Sequence, residues 1–201
     1  MSQIRSDFRR DGFVVTGVLF TEPELVVLRE AVTRVLTQCA EPVGWERWLG
    51  LVNQVRDPER WDPAFSSTRG DERLRDAAGD VLDAPAAVSW QHLVWRRPGC
   101  TLRLPWHSDL ETWPEPARSI GGVALWLALD DSGPSAGGVR YAPGSQNGLS
   151  AAPPEPVCPV IPAGAALLHD GRTLHCSGPN TTDRWRRALV MVFTPRPSAP
   201  G

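Results

Sequence analysis

The segment Leu104-Pro105-Trp106-His107-Ser108-Asp109 says most about the fold of this chain. It is predicted to be part of a strand, and residues two apart in a strand point to the same face, so His107 and Asp109 could bind one metal ion together. A second imidazole from a distant strand would complete the site, and His175 is the natural candidate. Two histidines and one carboxylate on one side of an ion, with open positions opposite, are typical of non-haem Fe(II) oxygenases. The pattern therefore predicts a metal site assembled from strands far apart in the sequence.

The His-x-Asp triplet alone is a weak motif, and the context of His175 strengthens it. In a chain with four histidines, chance alone would place an Asp two residues after one of them roughly one time in four. The turn sequence Ser177-Gly178-Pro179-Asn180 follows His175 and precedes an apolar run that starts at Arg186. We therefore expect His175 and Arg186 to lie near each other, on the two arms of a hairpin-like pair.

Arg186 is an unusual residue in an apolar strand. Ala188, Val190 and Val192 follow it at intervals of two residues, so in a strand all four side chains point to the same face, which is predicted to be buried. A buried guanidinium requires a partner, and a carboxylate bound in a bidentate manner is the best one. An anionic cosubstrate would supply that carboxylate.

With these residues in view, the chain resembles the phytanoyl-CoA dioxygenase family of Fe(II)/2-oxoglutarate oxygenases. The resemblance is carried by His107-x-Asp109, by His175-Cys-Ser-Gly-Pro-Asn, by Arg186 eleven residues after that histidine, and by the segments 11–15, 137–145 and 162–168. It implies a mainly β fold with N-terminal helices, the cupin-like double-stranded β-helix or jelly roll. It also implies Fe(II) bound by His107, Asp109 and His175, with Arg186 and Ser177 holding the far carboxylate of 2-oxoglutarate. The implied reaction uses O₂ to hydroxylate an unactivated C–H bond of a small metabolite or natural-product intermediate, releasing succinate and CO₂.

Within the family, the stretch 106–113 is similar to the metal-binding segment of ectoine hydroxylases. The likeness has departures: Leu104 and Pro114 stand where those enzymes have Phe and His, and only Gln91 remains of their Gln-x-Arg-x-Asn pattern. These departures argue against ectoine as the substrate and leave the reaction type untouched. Gln91, a polar residue in an apolar strand, is predicted to orient substrate or cosubstrate, with a satisfied core amide as the equal alternative.

The sequence also allows other reaction outcomes and other classes of protein. Asp109 fills the position that halogenating relatives leave vacant, which favours hydroxylation, but desaturation, cyclisation and epimerisation use the same iron site. A cupin-type metalloenzyme could use these histidines without 2-oxoglutarate, and Arg186 would then be a structural ion-pair partner. A non-enzymatic binding module would give no reason for the metal ligands together with a correctly spaced Arg.

A tryptophan and two other histidines also bear on the site. Trp113 follows the ligand strand in a loop at the mouth of the barrel and is predicted to form the wall of the substrate pocket. His92 and His169 are interpreted as strand histidines with structural partners rather than ligands.

Length and composition are those of one small enzyme. A chain of 201 residues suits a single domain over 1–201, with 195–201 as a flexible tail. The net charge of −2 and the pI near 6.1 give no basic surface for nucleic acid, so the expected partner is a small molecule. The polar start and the lack of a long apolar run predict a cytoplasmic protein with no membrane contact. Four scattered cysteines without Cys-x-x-Cys suggest neither zinc nor disulfides, and the oligomeric state is left open.

The predicted elements place helices first and short strands after, as a jelly roll requires. A strand over 13–19 precedes a helix that starts in a capping box at Thr21 and Glu24 and ends near residue 39. The stretch 41–70 is predicted to be irregular and 71–82 to be a second helix. The remaining strands are predicted at 87–95, 100–107, 120–129, 138–142, 157–161, 165–169, 173–177 and 186–194.

Overall fold

The computed structural model describes residues 2–38, 53–115, 117–148 and 155–196, and strands dominate it. Its strands are β1 (Phe13–Val18), β2 (Asn53–Arg56), β3 (Ala86–Arg96), β4 (Leu104–His107), β5 (Val123–Ala128), β6 (Val139–Tyr141), β7 (Ala165–Asp170), β8 (His175–Ser177) and β9 (Arg186–Pro195). Its α-helices are α1 (Gln3–Asp11), α2 (Glu22–Gln38), α3 (Ala64–Arg69), α4 (Glu72–Leu82) and α5 (Ala117–Ile120). Short 3-10 helices cover Pro58–Arg60, Leu110–Thr112 and Ser145–Asn147.

The strands form two antiparallel sheets. The larger has the order β1-β7-β5-β9-β3-β2, and the smaller has the order β4-β8-β6. Strands that neighbour each other in space are mostly distant in sequence, as in a jelly roll. One cavity is lined by residues of both sheets, so the sheets face each other across it.

Alternation along β9 separates two environments. In β9, Leu189, Met191 and Phe193 pack with the main core, whereas Val190 and Val192 belong to the clusters around the cavity. Because successive side chains of a strand point to opposite faces, one face of the larger sheet is covered by helices and the other lines the cavity. Polar side chains at the inward positions are therefore brought to the same enclosed space.

The two helices that the sequence predicts form as α2 and α4. At the start of α2, the backbone N–H of Thr21 donates to the Glu24 carboxylate over 2.7 Å, which confirms the capping box. The apolar stripe of this helix is buried against the larger sheet. The α4 helix begins at the N-cap Asp71, whose side chain accepts from the Arg73 N–H. The helix α1, capped by Ser2, was not predicted.

The expected hairpin between His175 and Arg186 was wrong. The two residues begin β8 and β9, which lie in different sheets. Asn180 holds the chain between them, because its side-chain amide donates to the carbonyls of Arg97 and Arg184 over 3.0 and 2.7 Å. The turn thus carries the chain from one sheet to the other, and both side chains still line the one cavity.

Three other regions differ from the predicted elements. The stretch 41–70 contains β2 and α3 in its described part, which starts at residue 53. Its strand is polar apart from Val55 and offers no apolar alternation to detect. The predicted strand 157–161 is reduced to isolated bridges at Val157 and Ile161. Strand β9 runs to Pro195, and residues 197–201 of the predicted tail lie outside the described ranges. Among the described helices, none has both the length and the apolar character to cross a bilayer.

Candidate active site

The three predicted metal ligands converge in the cavity between the sheets. His107 ends β4 and lies directly opposite His175, the first residue of β8. Asp109 Oδ1 is 3.6 Å from His107 Nε2 and 3.5 Å from His175 Nε2. One ligand atom from each of the three residues lies within 4.8 Å of the others. Ligands at right angles, about 2.1 Å from a metal, would be about 3 Å apart, so small side-chain movements suffice to enclose an ion.

Both histidines present the same ring nitrogen to this position. His107 Nδ1 lies 2.8 Å from the Pro105 carbonyl and His175 Nδ1 lies 2.9 Å from the Thr173 carbonyl. A carbonyl only accepts hydrogen bonds, so each Nδ1 carries the proton. Each Nε2 is then left unprotonated and able to bind a metal.

The Asp109 carboxylate is held as an anion. Burial by itself would raise its pKa, but the surrounding imidazoles, first His175 and then His107 and His169, hold the pKa well below 3.8. A deprotonated carboxylate is the form that binds a metal. The donor set therefore fits a divalent ion that accepts imidazole and carboxylate ligands, as Fe(II) does.

Asp109 also has a contact that the sequence did not suggest. His169 Nε2 lies 3.1 Å from Asp109 Oδ2, and the other ring nitrogen of His169 lies 3.0 Å from the Tyr141 hydroxyl. His169 was correctly interpreted as a histidine with structural partners, but one of those partners is a metal-ligand candidate. The signal that could have located it is the parity of His169 with Leu167, which places both on the cavity face of β7.

Arg186 lines the same cavity as the metal-ligand candidates. It is 4% exposed, donates to the Gly137 carbonyl over 2.9 Å and lies 5.4 Å above the Trp126 ring. No carboxylate of the described residues forms an ion pair with it, and its Nε has no hydrogen-bond partner among them. Burial, and then the neighbouring charge of Arg96, lowers its pKa to about 9. A guanidinium in this state favours binding of an anion.

Arg96 is a second buried arginine, and it was not predicted as a site residue. It is paired with Arg186 in the register of β3 and β9, and its Nη2 donates to Ser177 Oγ over 2.9 Å. Ser177 lines the same cavity, as predicted for a residue near the cosubstrate carboxylate. The parity of Arg96 with Trp90, His92 and Val94 could have placed it there, since all four residues line the cavity.

Trp113 lies in the cavity wall, where it was expected. Its ring meets that of Trp90 edge to face at a centroid distance of 5.7 Å. Gly171 makes room for it, because a Cβ on that glycine would lie 2.6 Å from the Trp113 ring. The position of the indole therefore depends on a residue in the loop between β7 and β8.

Gln91 is not brought to the site. Its amide donates to the Glu59 carboxylate and to the Phe65 carbonyl over 2.8 and 2.9 Å, and it is fully buried. It lies between Trp90 and His92, which both point into the cavity, so its own side chain points to the helix-covered face of the sheet. The core-amide alternative matches this position, and a contact with substrate or cosubstrate does not.

Comparisons with known proteins point to the same chemistry as the geometry. The family model described as phytanoyl-CoA dioxygenase (PhyH) matches residues 8–188. An ectoine dioxygenase of Stutzerimonas stutzeri (strain A1501) is 25% identical over 225 residues, covering 92% of this chain and 74% of the relative. The crystal structure of EvdO2 from Micromonospora carbonacea var. aurantiaca, complexed with 2-oxoglutarate, has a TM-score of 0.79 and 28% identity, covering 98% of this chain and 91% of the other.

Structures with lower sequence identity share the same fold. The α-ketoglutarate-dependent epimerase SnoN from nogalamycin biosynthesis has a TM-score of 0.82 at 22% identity, covering 96% of this chain and 81% of the other. The jelly roll predicted from the sequence is thus confirmed. By its family match over residues 8–188, this chain belongs to the phytanoyl-CoA dioxygenase family, and it is an Fe(II)/2-oxoglutarate-dependent dioxygenase.

Proposed function

We propose that this enzyme hydroxylates an unactivated C–H bond of a small, amphipathic metabolite or natural-product intermediate. Fe(II), 2-oxoglutarate and O₂ take part, and succinate and CO₂ are released. The observation that carries the proposal is a single cavity that contains both the His107, Asp109 and His175 ligand atoms and the buried Arg186. A metal site with open positions and a buried cation nearby is what a keto acid with a second carboxylate needs.

The three metal ligands each have a defined task in this proposal. His107 and His175 would bind iron through Nε2, because backbone carbonyls hold the protons of both rings on Nδ1. Asp109 would bind through Oδ1, the oxygen that faces both histidines. When bound, iron and 2-oxoglutarate together supply the O₂ activation, and the protein supplies positioning and a dry cavity.

Arg186 and Ser177 would hold the far carboxylate of 2-oxoglutarate. Two N–H donors of a guanidinium match the two oxygens of a carboxylate, and the interaction is strong where water is excluded. This assignment argues against the cupin-type alternative. Arg186 would there be a structural ion-pair partner, and the described residues give it no carboxylate.

The substrate would enter from the side lined by aromatic residues and by β2. Trp90 and Trp113 provide apolar walls, and Gln54 and Arg56 provide polar groups on the same cavity. A ligand with both apolar and polar parts suits such a surface. The replacements relative to ectoine hydroxylases at Leu93, Trp95 and Leu104 argue against ectoine as the substrate.

Cys100, Cys158 and Cys176 are free thiols, which is consistent with a protein that acts in the reducing cytoplasm.

The test is a measurement of Fe(II) binding and of succinate formed from 2-oxoglutarate, with and without candidate substrates. We expect Fe(II) binding and succinate formation to be lost in each of His107→Ala, Asp109→Ala and His175→Ala, since two protein ligands bind the ion too weakly. Glu111→Ala is the matched control, because this exposed carboxylate follows the same motif, and the variant should retain Fe(II) binding and succinate formation. Full turnover by an iron-loaded single variant would remove that residue from the site. If the wild type binds iron but does not consume 2-oxoglutarate, the cupin-type alternative is correct.

A further inference from the structure

The two oxygens of the Asp109 carboxylate lie in different surroundings. Oδ1 faces the Nε2 atoms of His107 and His175, whereas Oδ2 lies 3.1 Å from Nε2 of His169. His169 is 4% exposed and lies in β7, which is paired on both sides, with β1 and with β5. The imidazole thus projects from one of the most constrained strands of the larger sheet toward a residue that follows a strand of the smaller sheet.

The direction of the hydrogen bonds follows from the groups involved. A carboxylate only accepts, so the proton between His169 and Asp109 belongs to His169 Nε2. In the neutral ring Nδ1 is then an acceptor, and the Tyr141 hydroxyl, 3.0 Å away, donates to it. Tyr141 is fully buried, and its hydroxyl supplies the proton of this second hydrogen bond. The result is a continuous chain from Tyr141 through His169 to Asp109.

We propose that His169 is a positioning residue for the iron ligand Asp109, with Tyr141 fixing the tautomer of His169. The proposal rests on the metal site proposed above and deepens it. By occupying Oδ2, His169 restricts Asp109 to binding through Oδ1 alone. Without this bond the carboxylate could rotate and bind through both oxygens, taking a position that 2-oxoglutarate or O₂ needs. Partners of metal ligands that fix orientation in this way typically change metal affinity about 10- to 100-fold when removed.

The test measures the metal site directly, apart from turnover. Co(II) binding is titrated against a competing chelator, and the d–d absorption of the Co(II) protein reports the ligand field. We expect His169→Phe to weaken Co(II) binding about 10- to 100-fold and to alter the absorption. His169→Gln should recover most of the affinity, because its amide N–H takes the place of Nε2. Tyr141→Phe should have a smaller effect in the same direction.

The matched control is His92→Phe. His92 lines the same cavity but makes no hydrogen bond to Asp109 in the described structure, so the same change of side chain should leave Co(II) affinity unaltered. Thermal unfolding of each metal-free variant shows whether it is folded. If His169→Phe does not fold, His169→Asn replaces it, because the shorter amide cannot reach Asp109.

The outcomes separate this inference from the proposed site. Wild-type Co(II) affinity and absorption in folded His169→Phe or His169→Asn would overturn the inference, and so would an equal loss in His92→Phe. The metal site itself would still stand if His107→Ala lost Co(II). If the wild-type protein bound no Co(II), the metal site and this inference would both be wrong.

Discussion

Arg186 and Arg187 are consecutive residues of β9 whose side chains lie on opposite faces of the larger sheet. Arg186 points into the cavity and pairs with no described carboxylate. Arg187 points away from it and forms two hydrogen bonds with the Asp130 carboxylate, of 2.7 and 2.8 Å. Strand alternation accounts for this division, because adjacent residues of a strand point to opposite faces of the sheet.

The first prediction uses this pair. Arg186→Gln should raise the KM for 2-oxoglutarate at least about tenfold, because a lost charge-assisted pair in a desolvated site is worth about 1.5–3 kcal/mol. Arg187→Gln should leave that KM unchanged and lower the free energy of unfolding by about 1 kcal/mol or less. Succinate formation at varied 2-oxoglutarate gives the KM, and urea unfolding gives the stability. Small, equal effects on KM would contradict a role for Arg186 in cosubstrate binding.

The sequence predicted the parts of the site that depend on alternation within one strand. His107, Asp109, His175 and Arg186 all line one cavity. Strand alternation predicted the face of Arg186, whereas Asp109 lies beyond the end of β4 and His175 was predicted from the motif around it. Gln91 was assigned to the site even though its neighbours Trp90 and His92 have the parity of the cavity face. Strand alternation therefore places Gln91 on the opposite face of the sheet.

No local sequence pattern predicted the side-chain contacts between the two sheets. His169 reaches Asp109 because β7 and the end of β4 lie on facing sheets, and no local pattern encodes that distance. The hairpin expected at 177–180 failed for a similar reason, since the same turn sequence also suits a crossing between sheets. Arg96 faces Arg186 only because the irregularity between Val88 and Trp90 sets the register of β3 against β9.

The second prediction concerns the substrate wall. In Gly171→Ala the new methyl group would meet the Trp113 ring at 2.6 Å, so the indole must move. We expect the KM for the substrate to rise several-fold while the KM for 2-oxoglutarate changes little. Arg186 contacts Gly137 and Trp126, whereas Trp113 packs against Trp90 and Gly171. Trp113→Leu should reproduce the effect on the substrate. Gly17→Ala is the control, since a Cβ there has no atom within 4 Å. An unchanged substrate KM in folded Gly171→Ala would place the substrate away from Trp113.

The third prediction concerns acid stability. Burial lowers the pKa of His92 from 6.5 to about 4. In the unfolded chain this histidine is protonated below pH 6.5, whereas in the folded protein it is protonated only below about pH 4. The free energy of unfolding therefore decreases as the pH falls through this window. Between pH 7 and pH 5 this contribution amounts to about 2 kcal/mol.

Urea unfolding of the metal-free protein at these two pH values measures the effect. Wild type should lose about 2 kcal/mol more than His92→Phe, which cannot titrate at this position. The other histidines are present in both proteins, so their contributions cancel in the difference. An identical pH dependence of the two proteins would mean that His92 is protonated as easily in the folded state as in the unfolded chain.

The fourth prediction concerns Arg96 and Ser177. Arg96 donates to Ser177 Oγ, so the hydroxyl proton of Ser177 remains available for the 2-oxoglutarate carboxylate. Ser177→Ala should raise the KM for 2-oxoglutarate by about two- to tenfold, the range of one hydrogen bond. Arg96→Leu should also raise it, because the hydroxyl loses the donor that orients it. If Arg96 acts through Ser177, the double variant should be little worse than the more severe single variant. Fully additive effects would show instead that Arg96 contacts the carboxylate directly, as a second cation beside Arg186.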